Sequence, residues 1–194
     1  MNMNRVVLII PGFKDYPNLK IYRQISKSYQ DKGFDVVVLN IPWKNHTMSD
    51  YVDYFLKIYF KYQDSEVSTL GFSFGAMVSF IASSKVNIKS QILCSISPYF
   101  KEDMKLIKKS WADGVGKKRM ADFGKISRKE ICKLIKAQTT MLIGTKEGPE
   151  MLQVTQSIYD GIKSDKDLAV IKGVGHDIAA KKYFEEISKR IKLL

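Results

Sequence analysis

Six short apolar runs recur along the chain, and helical patterns lie between them. The runs are Val6–Ile10, Val36–Ile41, Val67–Phe72, Ile92–Ile96, Thr140–Gly144 and Leu168–Ile171. They are rich in β-branched residues and continuous rather than alternating, as expected for strands covered on both faces. Between them, Tyr51, Tyr54, Phe55, Ile58, Tyr59 and Tyr62 recur in steps of three and one, which marks one face of a helix. Phe184, Ile187, Ile191 and Leu194 mark the apolar face of a last helix, with Lys181, Lys182, Glu185, Glu186 and Lys189 turned to water. Regular strand–helix alternation predicts an α/β three-layer sandwich around a mostly parallel sheet of about six strands. In such sheets ligands bind beyond the carboxyl ends of the strands, so the residues just after each run are the ones to inspect.

The chain has 194 residues and no Pro-, Gly- or Ser-rich stretch that could link two domains, so a single domain over 1–194 is expected. Hydrophobic residues make up 45% of it, which excludes a disordered chain. Cys94 and Cys132 each sit in an apolar context and are expected to be buried free thiols in a reducing compartment. Arg5–Ile10 is cut short by Pro11-Gly12, and no run reaches the roughly 18 apolar residues of a membrane span. A cytoplasmic protein without signal peptide or membrane span is therefore expected. Asn45-His46-Thr47, a glycosylation sequon by pattern, has no consequence there. The net charge is +12, carried mainly by Lys rather than the Arg that specific phosphate and base readout prefers. A solvated lysine-rich surface explains that better than a specific nucleic-acid partner.

The third run ends in Gly71-Phe72-Ser73-Phe74-Gly75, and a helical segment follows. A serine at a sharp strand-to-helix turn is held in a strained backbone conformation, so its neighbours two before and two after must be small. The turn lifts the hydroxyl clear of the sheet, and the Phe74 N–H behind it can donate to an oxyanion. Pro11-Gly12-Phe13 follows the first run and can offer the Phe13 N–H as a second donor. A serine nucleophile needs a base, and the chain has two histidines. His176, in Gly173-Val174-Gly175-His176-Asp177, follows the sixth run directly; His46 lies in a longer polar loop after the second. His176 is the expected base. The first carboxylate beyond the fifth run is Glu147, the expected acid. Asp177 adjoins the base and should diverge from it. Glu150 suits the start of a helix. Glu102 and Asp103, after the fourth run, are the outside candidates.

The order Ser73, Glu147, His176 is that of the α/β-hydrolase type. Through Leu8–Phe13, Gly71–Gly75, Leu142–Glu147 and Gly173–His176, the sequence resembles the α/β-hydrolase superfamily over nearly its whole length. The resemblance implies Ser73 as nucleophile, His176 as base, Glu147 as acid and the Phe13 and Phe74 amides as oxyanion hole. Two departures stand out: Pro11 occupies a position where the family often has His, and the acid is Glu rather than the commoner Asp. The chain is short for the family, which implies a small cap.

Residues 99–138 occupy the place where this fold commonly carries a cap, and they hold twelve basic residues, Lys108 among them, against five acidic ones. A basic helical cap that recruits an anionic substrate is one reading; a solvated pair of helices is the blander and favoured one. Trp43, Phe72, Tyr99 and Trp111 are expected to supply apolar substrate contacts. Gly114-Val115-Gly116-Lys117-Lys118 is no phosphate loop, for it lacks the first Gly, the Ser or Thr after Lys, and a preceding strand. No metal-ligand spacing exists, so no metal and no cofactor are expected. The sequence is thus read as a serine hydrolase of carboxylic esters or thioesters, a monomer or homodimer acting on a small molecule. The alternative is a non-catalytic binding protein on the same fold, holding an anionic partner through the basic insert. A nucleic-acid binder is a weaker third reading.

Overall fold

A computed structural model describes residues 4–107 and 109–194. Lys108, counted above in the basic insert, lies outside the described residues. Six strands, β1 (Arg5–Ile10), β2 (Asp35–Val38), β3 (Glu66–Phe72), β4 (Ser90–Cys94), β5 (Gln138–Gly144) and β6 (Lys166–Ile171), form one sheet in the order β2-β1-β3-β4-β5-β6. Every pairing is parallel. Successive residues of a strand face opposite sides, and both sides are covered. Val7, Ile9, Leu70, Phe72, Cys94 and Leu142 pack under α1 (Lys20–Gln30) and α8 (Lys181–Lys192). Val6, Leu8, Ile10, Leu93 and Met141 pack under α2 (Met48–Tyr59), α3 (Phe74–Ala82) and α7 (Pro149–Gly161). The result is the three-layer α/β sandwich that the alternation of the sequence demands.

Two strands stop earlier than their apolar runs. β2 ends at Val38: Leu39 still donates to the Ile9 carbonyl, but the neighbouring β1 gives way to Pro11, which has no N–H to extend the ladder. β4 ends at Cys94 because Ser95 turns into the left-handed region, with φ of 48°. Of the expected aromatic stripe, Tyr51, Phe55 and Tyr59 are buried, Tyr54 and Ile58 are half-buried, and Tyr62 falls past the end of α2. On α8 the buried stripe is Tyr183, Ile187 and Ile191, one position earlier at its start than the expected Phe184.

Among its described residues, the insert between β4 and β5 carries three short α-helices, α4 (Lys109–Val115), α5 (Lys117–Phe123) and α6 (Arg128–Leu134). It is tied to the body by polar contacts. Asp122 accepts hydrogen bonds from the Ser49 amide at 2.9 Å and hydroxyl at 2.7 Å, at the start of α2. Arg119 donates to the carbonyls of Trp43 at 2.6 Å and His46 at 2.8 Å. Both cysteines are buried and free. Among the described residues, no helix is long and apolar enough to cross a membrane.

The strand order reverses between β1 and β3, since β2 lies outside β1 and β4 outside β3. The crevice at such a reversal is where open parallel sheets hold their ligands. Here it is formed by the loops after β1 and β3, which carry Phe13 and Ser73.

Candidate active site

Ser73 stands between β3 and α3 with φ of 56° and ψ of −116°. That is a costly conformation for a side-chain-bearing residue, held by the tight packing around it. Gly75 makes the turn possible: a Cβ there would lie 2.1 Å from the Ile10 carbonyl oxygen. The helix therefore starts directly against the end of β1, and the loops after β1 and β3 share one wall.

The loops after β5 and β6 are laced together in the same way. Lys146 donates to the Val174 carbonyl at 2.8 Å, and Thr145 to that of Ile171 at 3.0 Å. A Cβ on Gly144 would lie 2.3 Å from the Val174 oxygen. This close approach brings Glu147 beside His176. His176 Nδ1 is 2.8 Å from Glu147 Oε2, and Nε2 is 3.0 Å from Ser73 Oγ. A carboxylate only accepts hydrogen bonds, so Nδ1 donates and Nε2 is left to accept from the serine hydroxyl.

The Glu147 side chain is enclosed, 0% exposed. Its Oε1 accepts from the Gly144 N–H at 2.7 Å and from the Ser95 hydroxyl at 2.7 Å. Behind Ser95 stands Tyr183, whose hydroxyl is 2.7 Å from Ser95 Oγ and 3.0 Å from the Leu142 carbonyl oxygen; with the Ser95 proton on Glu147, the single phenol proton is shared between these two acceptors. Burial pushes the Tyr183 phenol well above its ordinary pKa, so it stays protonated. Sequence reasoning missed Ser95 and Tyr183. Tyr183 was visible as the first of three residues in steps of four on α8; Ser95 had no signal beyond its place after a strand.

A cleft of about 1420 Å³ opens over this group, lined by Ser73, His176 and Glu147 together with Phe13, Phe74, Trp43, Tyr99 and Trp111. Phe13 and Phe74 pack with centroids 5.0 Å apart, and Tyr99 stacks on Trp111 at 3.8 Å. Among the described residues, neither the Phe13 N–H nor the Phe74 N–H has a protein acceptor. Ser97, also unforeseen, reaches Ser73 Oγ at 3.1 Å from a position only 3% exposed.

Phe72 is not on the cleft wall where it was expected. It faces the α1 and α8 side of the sheet, and its ring lies under His176 with centroids 4.9 Å apart. The period of two along a strand decides this, sending it to the side opposite β1's Ile10. The remaining acidic candidates are engaged elsewhere. Asp177 accepts from the Ala179 amide, Glu150 opens α7, and Glu102 accepts from Ser127 and the amides of Arg128 and Lys129 at the start of α6. Asp103 forms a buried two-point pair with Arg128, at 3.0 and 3.1 Å. His46 lies on the cleft rim, its Nδ1 3.8 Å from Asp50. No group of three or more metal-ligating side chains occurs among the described residues.

No family model matches the sequence, and no curated protein matches it. Solved structures match it closely in shape. Est1E from Butyrivibrio proteoclasticus has a TM-score of 0.82 at 15% identity, over 100% of this chain and 87% of its own. The alpha/beta hydrolase domain-containing protein 10 from mouse has a TM-score of 0.75 at 13% identity, over 96% of this chain and 88% of its own. An esterase from Pyrococcus furiosus has a TM-score of 0.74 at 18% identity, over 98% of this chain and 81% of its own.

Proposed function

From the α/β-hydrolase fold that this chain shares with those structures, we propose that it is a serine hydrolase cleaving a carboxylic ester or thioester. Fold alone does not establish activity. The observation that carries the reading is the series Glu147, His176, Ser73, joined at 2.8 and 3.0 Å by residues from three separate loops at one sheet edge.

In this reading Ser73 Oγ attacks the acyl carbonyl while His176 Nε2 takes its proton. Glu147 accepts from Nδ1–H and stabilises the imidazolium that forms. The Phe13 and Phe74 amides donate to the oxyanion; each such donor contributes on the order of 3 kcal/mol in the transition state. Collapse expels the alcohol or thiol, protonated by His176, and leaves an acyl-serine. Water activated by the same histidine then releases the acid. Trp43, Tyr99 and Trp111 would contact the substrate, and residues 99–138 would act as a basic cap. The substrate is a small molecule, with no specific nucleic acid as partner, and the protein acts as a monomer or homodimer. Two buried free thiols are in keeping with a reducing, cytoplasmic setting.

The test is labelling with a fluorophosphonate probe, wild type beside Ser73→Ala and His176→Ala, with the modified peptide located by mass spectrometry. Labelling of Ser73, lost in both variants, is expected; an ester and thioester panel then sets the acyl preference. A folded wild type that does not react would overturn the reading in favour of a non-catalytic binding protein.

A further inference from the structure

The cleft over Ser73 collects positive charge from three parts of the chain. Lys14 follows Phe13 after β1, Lys44 comes from the loop between β2 and α2, and Lys117 and Lys118 come from the insert. Arg119 adds its charge to the cleft, its guanidinium carbon 5.2 Å from the Phe13 ring centroid, while it is held in place by the carbonyls of Trp43 and His46 and the Tyr51 hydroxyl. The two carboxylates that line the same cleft are also engaged inward. Asp15 accepts from the Tyr22 hydroxyl at 2.6 Å, and Glu147 serves His176.

Among the described residues, Lys14, Lys44 and Lys117 have no carboxylate within ion-pair distance, and Lys118 has only Asp50, at 4.0 Å. Lys14 reaches over the aromatic floor of the cleft. Its Nζ lies 5.2 Å from the centroid of the Phe13 ring, which packs on Phe74 next to Ser73. Lysines on an ordinary solvated face disperse and pair with neighbouring acids, as Lys133 does with Glu130 on α6 at 2.9 Å. These instead converge on one concave surface floored by aromatic rings, where low-dielectric walls focus the field of like charges.

We propose that the substrate of this site carries an anionic group, a carboxylate, phosphate or sulfonate, held at the cleft mouth by Lys14, Lys44 and Lys117 while its ester carbonyl sits at Ser73. The inference rests on the hydrolase reading above and adds the charge class of the substrate. The anion can belong to the acyl part or to the leaving group, and the cation set is the same for both.

Two matched ester pairs distinguish these sources. On the acyl side, para-nitrophenyl hexanoate is compared with the mono-para-nitrophenyl ester of adipic acid, which has the same chain length and a terminal carboxylate. On the leaving-group side, para-sulfamoylphenyl acetate is compared with para-sulfophenyl acetate. In at least one pair, kcat/KM for the anionic ester is expected to exceed that for the neutral one by about tenfold or more at low salt. That ratio should collapse between about 0.01 M and about 1 M salt, as the screening length falls from roughly 30 Å to roughly 3 Å. It should fall several-fold in each of Lys14→Gln, Lys44→Gln and Lys117→Gln, and stay put in Lys133→Gln, which lies outside the cleft. Equal use of neutral and anionic esters, or a preference insensitive to salt and to the three substitutions, overturns the inference while leaving the hydrolase reading intact. Loss of every ester activity together with failure of the probe to label Ser73 overturns both.

Discussion

The Ser95 hydroxyl donates to Glu147 Oε1 at 2.7 Å, on the side of the carboxylate away from His176. Glu147 thus has its two oxygens divided, one for the imidazole and one for the protein interior. In the hydrolase proposed above, Ser95 would act through Glu147, as a positioning residue. Ser95→Ala leaves a buried carboxylate oxygen with one partner fewer, a cost of about 1–3 kcal/mol. On an activated ester, kcat should fall about tenfold or more with KM little changed. Since Ser95 has a positive φ, Ser95→Gly removes the hydroxyl while relieving the backbone. If Ser95→Gly keeps full kcat, the hydroxyl has no positioning role.

Tyr183 supports both ends of the same group. Its hydroxyl meets Ser95, and its ring packs edge-on against Phe72, centroids 6.5 Å apart, under His176. Tyr183→Phe keeps the ring and removes the hydroxyl. A stability loss of about 1 kcal/mol and a several-fold drop in kcat are expected. Thermal denaturation beside steady-state kinetics would separate the two effects, and an unchanged kcat would count against the role of the hydroxyl.

The same substitution has opposite effects at two glycines. Gly75→Ala drives a Cβ to 2.1 Å from the backbone oxygen of Ile10, which has nowhere to go. A loss of about 3 kcal/mol or more is expected, seen as poor soluble yield and a lowered Tm. At Gly114, in α4, a Cβ would meet nothing within 4 Å, so Gly114→Ala should stabilise by up to about 1 kcal/mol.

Arg119 fastens the insert over the β2–α2 loop through its bonds to Trp43 and His46. Arg119→Ala frees those carbonyls and loosens the side of the cleft carrying Lys117 and Lys118. KM for a hydrolysed ester should rise several-fold with a smaller change in kcat, and protease cleavage within residues 109–123 should quicken. Unchanged KM and protection would show that other contacts hold the insert.

Stability should fall in acid. The amide and hydroxyl of Thr47 hold the Asp50 carboxyl below its ordinary pKa at the start of α2. Burial would raise Glu102, but hydrogen bonds from Ser127 and the α6 amides outweigh it, and its pKa also lies below the ordinary value. A carboxyl lowered by folding stabilises the native state above its unfolded pKa, about 4, and loses that contribution as pH falls through its folded value. Melting temperature should drop below about pH 4, and less steeply in Asp50→Asn than in wild type.

The alternation of apolar runs and helical stripes made the layered sheet legible, because strand and helix periods are local properties of the backbone. Ser73, Glu147 and His176 were legible for a related reason: each is the first suitable polar residue past a run, and parallel strands bring all their ends to one edge. The ends of β2 and β4 were not legible, since they depend on where a neighbouring strand gives way to Pro11 and where Ser95 turns. Phe72 turns away from the cleft because the period of two alternates the residues of β3 between the two faces, but which of those faces carries the cleft is set only when the sheet is assembled.

The sequence by itself determined the layer architecture, the turn chemistry at Gly75 and the set of groups able to meet at the sheet edge. Only the tertiary structure decided that Ser95 and Tyr183 stand behind Glu147, that Arg119 is held by carbonyls, and that lysines from three segments face one cleft. These pairings join residues 52, 88 and 76 positions apart in the chain. Spacing reports what a segment does with its own backbone; a hydrogen bond across such a distance exists only once the sheet has set its strands side by side.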